Sequence, residues 1–542
     1  MKKYLFLSAA LLLLIASCSN DDNNNETKEQ VQTVQFSFTN EEFGEDEAVT
    51  RASETAKPQI VDLGDCEAEI SVESEPAVKT RGPLRNANGH YTIRAYQGGT
   101  LKGEMKGSFY GGTFYVDASS PKCMRLSNGT YDFVAFNDDV IPSGNELTVV
   151  RDKAKTARMG FATQVVTATP QKQQVMFTMK HVGCRLRTQF VCRKHIPNNI
   201  TATLEQTAAN VIPASVAYNP ATKAYTATNG AMTAEANNSP ASTEMEYLGS
   251  NFGRKYSYPS TSDYHYFLPT TESSKLKLTF VAGTVFWKPL AGTIPQLNTT
   301  LQMQAGKSYL VTIKLKPNYI YLMSDGTTGH FKETTFGGGS KTPIAVVVDE
   351  TKHIAVALND VGGGGNHLWA YGYSYQTNKV STTTRPAKFG DYLSLENGYE
   401  ETWDGNYTTA LVAGEKVKGK RADFPAFKAA ADYTPGVSVS GTMVGKKWYL
   451  PAMGEWGDMF VNLGFMKSYS SETNWGSTHW YGYLCSLAFT QVGGNFSTAD
   501  AYWSSSEFEN MTAGILIPGE VLIRWQAYTK SAGWLVRSFI RY

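Results

Sequence analysis

The side chains in this sequence that could do chemistry are few and scattered. Eight histidines are spread along the chain without metal-ligand spacing, and no H-E-x-x-H, G-x-S-x-G or Ser-x-x-Lys motif stands in a supporting context. Glu507 and Glu509 are spaced as a carboxylate pair that could serve glycoside hydrolysis only if folding set them the required distance apart. Gly362 to Gly365 forms a glycine run without the Lys-Ser/Thr of a phosphate loop or the G-x-G-x-x-G register. Trp369, Tyr371, Tyr373, Trp403, Trp475 and Trp480 are candidate contacts for a sugar or a protein, because an exposed ring can stack on either. These residues predict recognition rather than catalysis. No cofactor and no metal are expected.

One cysteine is placed for a covalent step. Lys2 and Lys3 precede an apolar run from Leu5 to Ile15, too short to cross a bilayer as a helix, and Ala16-Ser17 lead into Cys18. This order resembles a lipobox, so residues 1–17 read as a lipoprotein signal peptide and Cys18 as the acylated residue, held at a membrane by its chains. Residues 18–30 are acidic and asparagine-rich and predict a disordered tether. Asp21-Asp22 behind the cysteine resembles a surface-export signal of some Gram-negative lipoproteins, which places the chain at the outer membrane or cell surface.

A formal net charge of +1 leaves no electrostatic case for nucleic acid. Charged residues make up only 18 % against 30 tyrosines and 48 glycines, a mix that suits an exported, turn-rich β protein. Apart from Cys18 there are five cysteines: Cys66, Cys123, Cys184, Cys192 and Cys485. No Cys-x-x-Cys pair points to zinc. Cys184 and Cys192 would stand roughly 26 Å apart in one strand, too far to bridge. Buried free thiols are expected.

The elements that must position all this are strands. Apolar residues alternate with period two at Val34, Phe36 and Phe38; at Tyr91, Ile93 and Ala95; and at Tyr131, Phe133 and Ala135 after the turn Ser127-Asn128-Gly129. They do so again at Val182, Cys184, Leu186, Phe190 and Cys192, and at Tyr309, Val311, Ile313 and Leu315 after Gly306. Long helical periods are missing between them, as in antiparallel sandwiches.

Taken in order, these pieces resemble the fimbrillin family of surface pilins and their accessory subunits. The matching tracts are Cys18, Val34 to Thr39, Ile93-Arg94-Ala95-Tyr96, Leu126-x-x-Gly129-x-Tyr131-x-Phe133, Phe177-x-x-x-His181 and Gly306-Lys307-x-Tyr309-x-Val311-x-Ile313. The resemblance implies two transthyretin-like antiparallel β-sandwiches, over 31–172 and 173–317. It also implies removal of a leading segment by an arginine-specific protease, followed by donor-strand exchange with other pilin subunits. An emptied groove of unpaired backbone groups favours such a replacement strand. Arg51, in an acidic and serine-containing stretch, is the candidate cleavage point, with Arg81 second. His181 reads as a hydrogen-bonded structural residue.

Beyond Pro317 the texture changes. Ile344 to Val348 predicts a buried strand, and Phe424 to Tyr433 and Pro451 to Gly464 predict helices, the latter presenting Trp456, Met459, Phe460 and Leu463 on one face. Pro451 is expected just inside the second helix, with Glu455 near its positive end. Asp325-Gly326-Thr327, Trp448-Tyr449-Leu450-Pro451 with Glu455, Tyr502-Trp503-Ser504-Ser505 and Val536-Arg537 resemble a bacterial C-type-lectin-like domain. That implies an α+β domain over 318–542, with Trp448 and Trp503 in its core. The Glu-Pro-Asn and Trp-Asn-Asp motifs of calcium-dependent sugar binding are missing. A related fold that makes formylglycine needs reactive cysteines near its end, and Cys485 alone does not match. The expected whole is a mainly β fimbrial tip or accessory subunit whose last domain contacts a host glycan or protein. The alternative is a non-polymerising surface lipoprotein that captures glycan or protein as nutrient.

Overall fold

In the computed structural model the described residues are 32–44, 47–48, 59–70, 84–167, 172–242, 252–297, 301–371, 392–408, 413–467 and 477–542. The described residues are mainly β, with α-helices from Gly398 onward and single 3-10 turns along the chain. Cys18, Arg51, Arg81, Tyr373 and Trp475 lie outside the described residues.

The N-terminal unit is a nine-stranded sheet bent over its own core. Its order runs Leu84–Asn86, Gln32–Glu41, Lys172–His181, Arg158–Val166, Gly129–Asn137, Gly89–Gln97, Thr100–Tyr110 and Thr113–Val116, with Arg125–Leu126 beside Gln32–Glu41. The bend falls where Arg158–Val166 meets Lys172–His181, which pair only at Arg158↔His181 and Met159↔Lys180. The period-two residues read from the sequence face inward. Val34, Phe36 and Phe38 meet Tyr91, Ile93, Tyr131 and Phe133 in one buried cluster.

The middle unit repeats a key pairing. Cys184–Cys192, its first long strand, runs parallel to Ser308–Pro317, its last, from Arg185↔Ser308 to Cys192↔Leu315. In the N-terminal unit Gln32–Glu41 runs parallel to Lys172–His181 in the same manner. Between the two strands that join these units, Gly183 has no room for a side chain: a Cβ there would sit 2.0 Å from the Ala154 carbonyl oxygen. Cys66, Cys184, Cys192 and Cys485 are buried and free, and Cys123 is half-buried and free.

Strand pairing does not part at 172/173. Lys172–His181 completes the N-terminal sheet, while Cys66–Ile70 and Gln59–Asp62, from early in the chain, extend the middle sheet beyond Ser308–Pro317. A four-stranded sheet further mixes Glu146–Val150 with Ile212–Asn219. Sequence order could not reveal this, because β pairing is set by long-range packing rather than by neighbours in the chain. Val182 likewise precedes its strand and packs with Val134, Val149 and Leu268, away from the Cys184–Leu186–Phe190 core.

The C-terminal unit holds a six-stranded sheet that includes Pro343–Asp349, Ile354–Ala357, Phe539–Arg541 and Trp448–Tyr449. A four-stranded sheet includes Tyr502–Glu509 and Thr512–Pro518. Helices Pro425–Ala431, Met453–Asn462 and Gly482–Thr490 pack around them. The Met453–Asn462 helix begins two residues after Pro451, so this proline lies ahead of the N-cap residue Ala452 and not inside the helix as expected. Glu455 Oε2 accepts from the Ala452 N–H at 2.7 Å, which satisfies a donor the helix leaves open.

This unit is seated on the middle one through aromatic side chains. Phe252 stacks on Tyr481 with ring centroids 4.4 Å apart, and Phe286 meets Phe465 at 5.2 Å. Trp287 Nε1 donates to the Phe465 carbonyl at 3.1 Å, while Lys194 Nζ lies 3.4 Å over the Trp287 ring. Phe286 and Trp287 both adopt positive φ, 51° and 63°, at the tip of the Thr284–Val285/Lys288–Pro289 hairpin. Non-glycine residues rarely hold that conformation, so the contacts of this tip must fix it.

Candidate functional site

The first described strand, Gln32–Glu41, pairs with Lys172–His181 along Thr33 to Asn40 on one side, and on the other only at its ends, Thr39–Glu41 with Leu84–Asn86 and Gln32–Thr33 with Arg125–Leu126. Val34, Phe36 and Phe38 are buried, and Phe38 alone meets the rings of Tyr91, Phe109, Phe114 and Phe177 at 4.7 to 5.8 Å. Burying three such side chains contributes roughly 5–9 kcal/mol before chain entropy is counted.

Just past the strand, Glu41 to Gly44 fills a basic crevice between the N-terminal and middle units. Arg158 Nη2 donates to both Glu42 carboxylate oxygens at 2.8 Å, and Arg158 Nη1 donates to the Glu41 carbonyl at 3.0 Å. Lys180 Nζ stands 3.5 Å from the Glu41 carboxylate. Phe43 is clasped between His181, whose ring centroid is 3.8 Å away, and the Arg185 guanidinium, 4.9 Å from its centroid. Arg185 Nη2 also donates to the Gly44 carbonyl at 3.3 Å. The same run of chain then pairs Glu47–Ala48 in parallel with Tyr309–Leu310 of the middle sheet. Residues 32–44 and 47–48 therefore bind the two units in succession, and Arg51 follows three residues later in sequence.

The electrostatics are set by burial and by Arg158. Burial raises the Glu42 carboxyl, but bonds from His181 and Arg158 outweigh it and its pKa falls below the ordinary value. His181 is pushed down to about 4, by burial first and then by the adjacent guanidinium, although Glu42 pulls the other way. The ring is thus neutral at pH 7, and its Nε2 stands 2.9 Å from Arg158 Nη2 and 3.2 Å from Glu42 Oε2, accepting from the first in one tautomer and donating to the second in the other. His181 is hydrogen-bonded, as the sequence reading expected.

The C-terminal motif residues converge on one scaffold. Trp369, Leu450 and Trp503 share a fully buried cluster with Phe424, Phe427 and Val536, and Trp448 lies in the adjoining one. Trp503 Nε1 donates to the His367 carbonyl at 2.7 Å, and Ser504 Oγ to the Gly514 carbonyl at 2.9 Å. Arg537 is buried, donates to the Ala357 and Asn495 carbonyls, and pairs with Asp360 at 2.8 Å. Pro451 is buried, and its carbonyl accepts from Ser505 N at 2.8 Å. Glu455 also accepts from the Tyr449 hydroxyl at 2.8 Å.

Two of the tryptophans proposed as ligand contacts are core residues. Trp369 is 0 % exposed and donates to the Ser504 carbonyl at 2.9 Å; Trp480 is 1 % exposed and donates to the Gly519 carbonyl at 2.7 Å. Trp403 is half-buried, donating to the Trp448 carbonyl at 2.8 Å with Lys447 over its ring. Tyr371 alone of the described set is well exposed, at 64 %. In an aromatic-rich domain rings fill the core first, and sequence cannot tell a filled ring from a presented one. The carboxylate pair also dissolves: Glu507 is buried and ion-paired with Lys530, whereas Glu509 faces solvent. Among the described residues no cluster of three or more His, Cys, Asp or Glu is arranged to hold a metal.

Sequence reading missed Glu42, Phe43, Arg158 and Arg185. The local signal was Glu41-Glu42-Phe43 closing an apolar strand, but its partner Arg158 stands 116 residues from Glu42.

No protein-family model matches this chain, and no curated protein matches it. Solved structures similar to it include a fimbrial protein from Bacteroides ovatus ATCC 8483, 10 % identical over 95 % of this chain and 100 % of that one, TM-score 0.24. A fimbrial protein from Bacteroides vulgatus ATCC 8482 is 12 % identical over 42 % of this chain and 91 % of its own, TM-score 0.28. A fimbrial assembly protein from Parabacteroides distasonis ATCC 8503 is 8 % identical over 45 % and 91 %, TM-score 0.23. These scores are low, and the functional reading rests on the chain's own geometry.

Proposed function

We propose that this chain is a surface-exported, non-enzymatic subunit of a fimbria-like fibre, routed as a lipoprotein through Cys18 and matured by cleavage after Arg51. One observation carries the reading: Gln32–Glu41, a strand paired along eight residues with Lys172–His181 and burying Val34, Phe36 and Phe38, belongs to a leading segment that precedes Arg51. Cleavage there frees residues 32–48 from the covalent chain and leaves a slot beside Lys172–His181, with a shorter one beside Tyr309–Leu310. Unpaired backbone groups and exposed Phe133 and Phe177 are then costly until an extended strand from another subunit fills the slot.

On this reading the N-terminal and middle units are the two transthyretin-like sandwiches that connect subunits. The lectin-like C-terminal unit, seated on the middle one, presents a recognition surface for host glycan or protein at a tip or accessory position. A stalk subunit needs both ends free, and this extra unit stands against one of them. The deciding measurement is the mature N-terminus, read by mass spectrometry on protein from sheared fibres and from outer membranes. A start at Ala52 in the fibre fraction is the expected result. A lipidated Cys18 in the membrane fraction alone withdraws the tip assignment and returns the nutrient-capture alternative.

A further inference from the structure

We infer that the crevice formed by Arg158, His181 and Arg185 reads the strand that replaces the leading segment, selecting one with a carboxylate four residues and an aromatic ring five residues past its last core-filling side chain. This rests on the strand-replacement reading above and specifies the partner. The occupant is an extended segment of a different subunit, since each copy's own leader is cut away.

The rule is taken from the segment now in place. Phe38 is the last side chain of the leader in the N-terminal core; Glu42 and Phe43 follow it by four and five positions. Glu42 meets Arg158 with both oxygens at 2.8 Å, and Phe43 fills the space between the His181 ring and the Arg185 guanidinium. Among the described residues the surroundings are one-sided: Arg158, Lys180 and Arg185 bring three cations, and the acids paired with them are Glu41 and Glu42, both on the leader.

Arg158 is only 13 % exposed at its side chain with the leader in place, and removing the leader takes away Glu42, the Glu41 carbonyl and that cover together. A replacement strand that covers this guanidinium again without pairing it incurs a desolvation cost, so a strand lacking the acid is disfavoured and not merely neutral. The apolar slot beside Lys172–His181 accepts alternating hydrophobic strands in general. The crevice adds the discrimination, by charge pairing and by ring stacking at a fixed distance along the strand.

The test uses the full chain with an engineered protease site between Ala48 and Gln59, so cleavage does not depend on Arg51. After cleavage it is offered labelled peptides of residues 32–48 in excess, and their affinities are measured by fluorescence anisotropy. The unaltered peptide is expected to bind. Its Glu42→Gln and Phe43→Ala versions are expected to bind roughly 10- to 100-fold more weakly. In an Arg158→Met chain the unaltered and Glu42→Gln peptides should bind equally. If Glu42→Gln and Phe43→Ala peptides bind as well as the unaltered one while Phe38→Ala fails, the slot is real and the crevice reads nothing. Failure of every peptide to bind overturns strand replacement itself, and the inference with it.

Discussion

Phe43 and His181 lie face to face, their ring centroids 3.8 Å apart and their planes within 8° of parallel. One ring belongs to the leading segment and the other to the end of the strand that accepts it. The stack therefore ties the attachment of the leader to the charge on a buried imidazole.

That tie has a sign. The folded pKa of His181 is lowered from 6.5 to about 4, so below pH 6.5 the unfolded state binds the extra proton. Stability contributed by the neutral ring is present above the unfolded value and lost as pH falls from 6.5 towards 4, on the order of 3 kcal/mol in all. Glu42, also lowered, adds a loss in the same direction as its carboxyl protonates at more acid pH. Urea unfolding of the N-terminal unit at pH 7 and pH 5 should show this fall, and His181→Phe should flatten it. An unchanged pH slope in the variant would count against His181 as its source.

Phe38→Ala removes the ring that meets four others inside the N-terminal core. A loss of about 3–5 kcal/mol is expected, confined to that unit. Hydrogen exchange should report it as faster opening of residues 32–41 and 172–181, with the C-terminal helices unchanged. Protection that stays equal everywhere would mean the leader contributes little to the unit.

Trp369 and Trp480 support the core and do not meet ligand. Trp369→Phe and Trp480→Phe should lower the melting temperature, each by about 1–3 kcal/mol of stability, because a smaller ring leaves a void and the indole N–H bond is lost. Binding of folded protein to cells or glycan arrays should be unaffected. A selective loss of binding at full stability would return these residues to a recognition surface.

Trp287 couples the middle and C-terminal units. Trp287→Ala removes the bond to the Phe465 carbonyl and the seat of Lys194, and should cost about 1–3 kcal/mol at that interface. Calorimetry is the check: the unaltered chain should melt these two units together, and the variant should separate them into two transitions. A single unchanged transition would assign the coupling to Phe252 and Phe286 instead.

Much of the fold was legible in the sequence for a local reason. In a strand, side chains alternate between faces, so Val34-x-Phe36-x-Phe38 and Tyr309-x-Val311-x-Ile313 declare both the element and its buried side. The same holds for Trp456, Met459, Phe460 and Leu463, which helical spacing placed on one buried face. Composition and the order of charge, apolar run and small residues at the start of the chain supplied the expectation of export.

What only the tertiary structure decided was partnership. Which strand lies beside Gln32–Glu41, and why Cys66–Ile70 joins a strand at Ser308–Pro317, depends on contacts between residues far apart in sequence, where no local pattern operates. For the same reason Trp369 and Tyr371, two aromatics in one short stretch, ended on opposite sides of the surface. The crevice at Arg158 had a local signal only on the leader, Glu41-Glu42-Phe43, and none that named Arg158 or Arg185 as its partners. A guanidinium, an imidazole and a carboxylate became a site only when the bend of the sheet brought Arg158 opposite His181, with the leader laid across both.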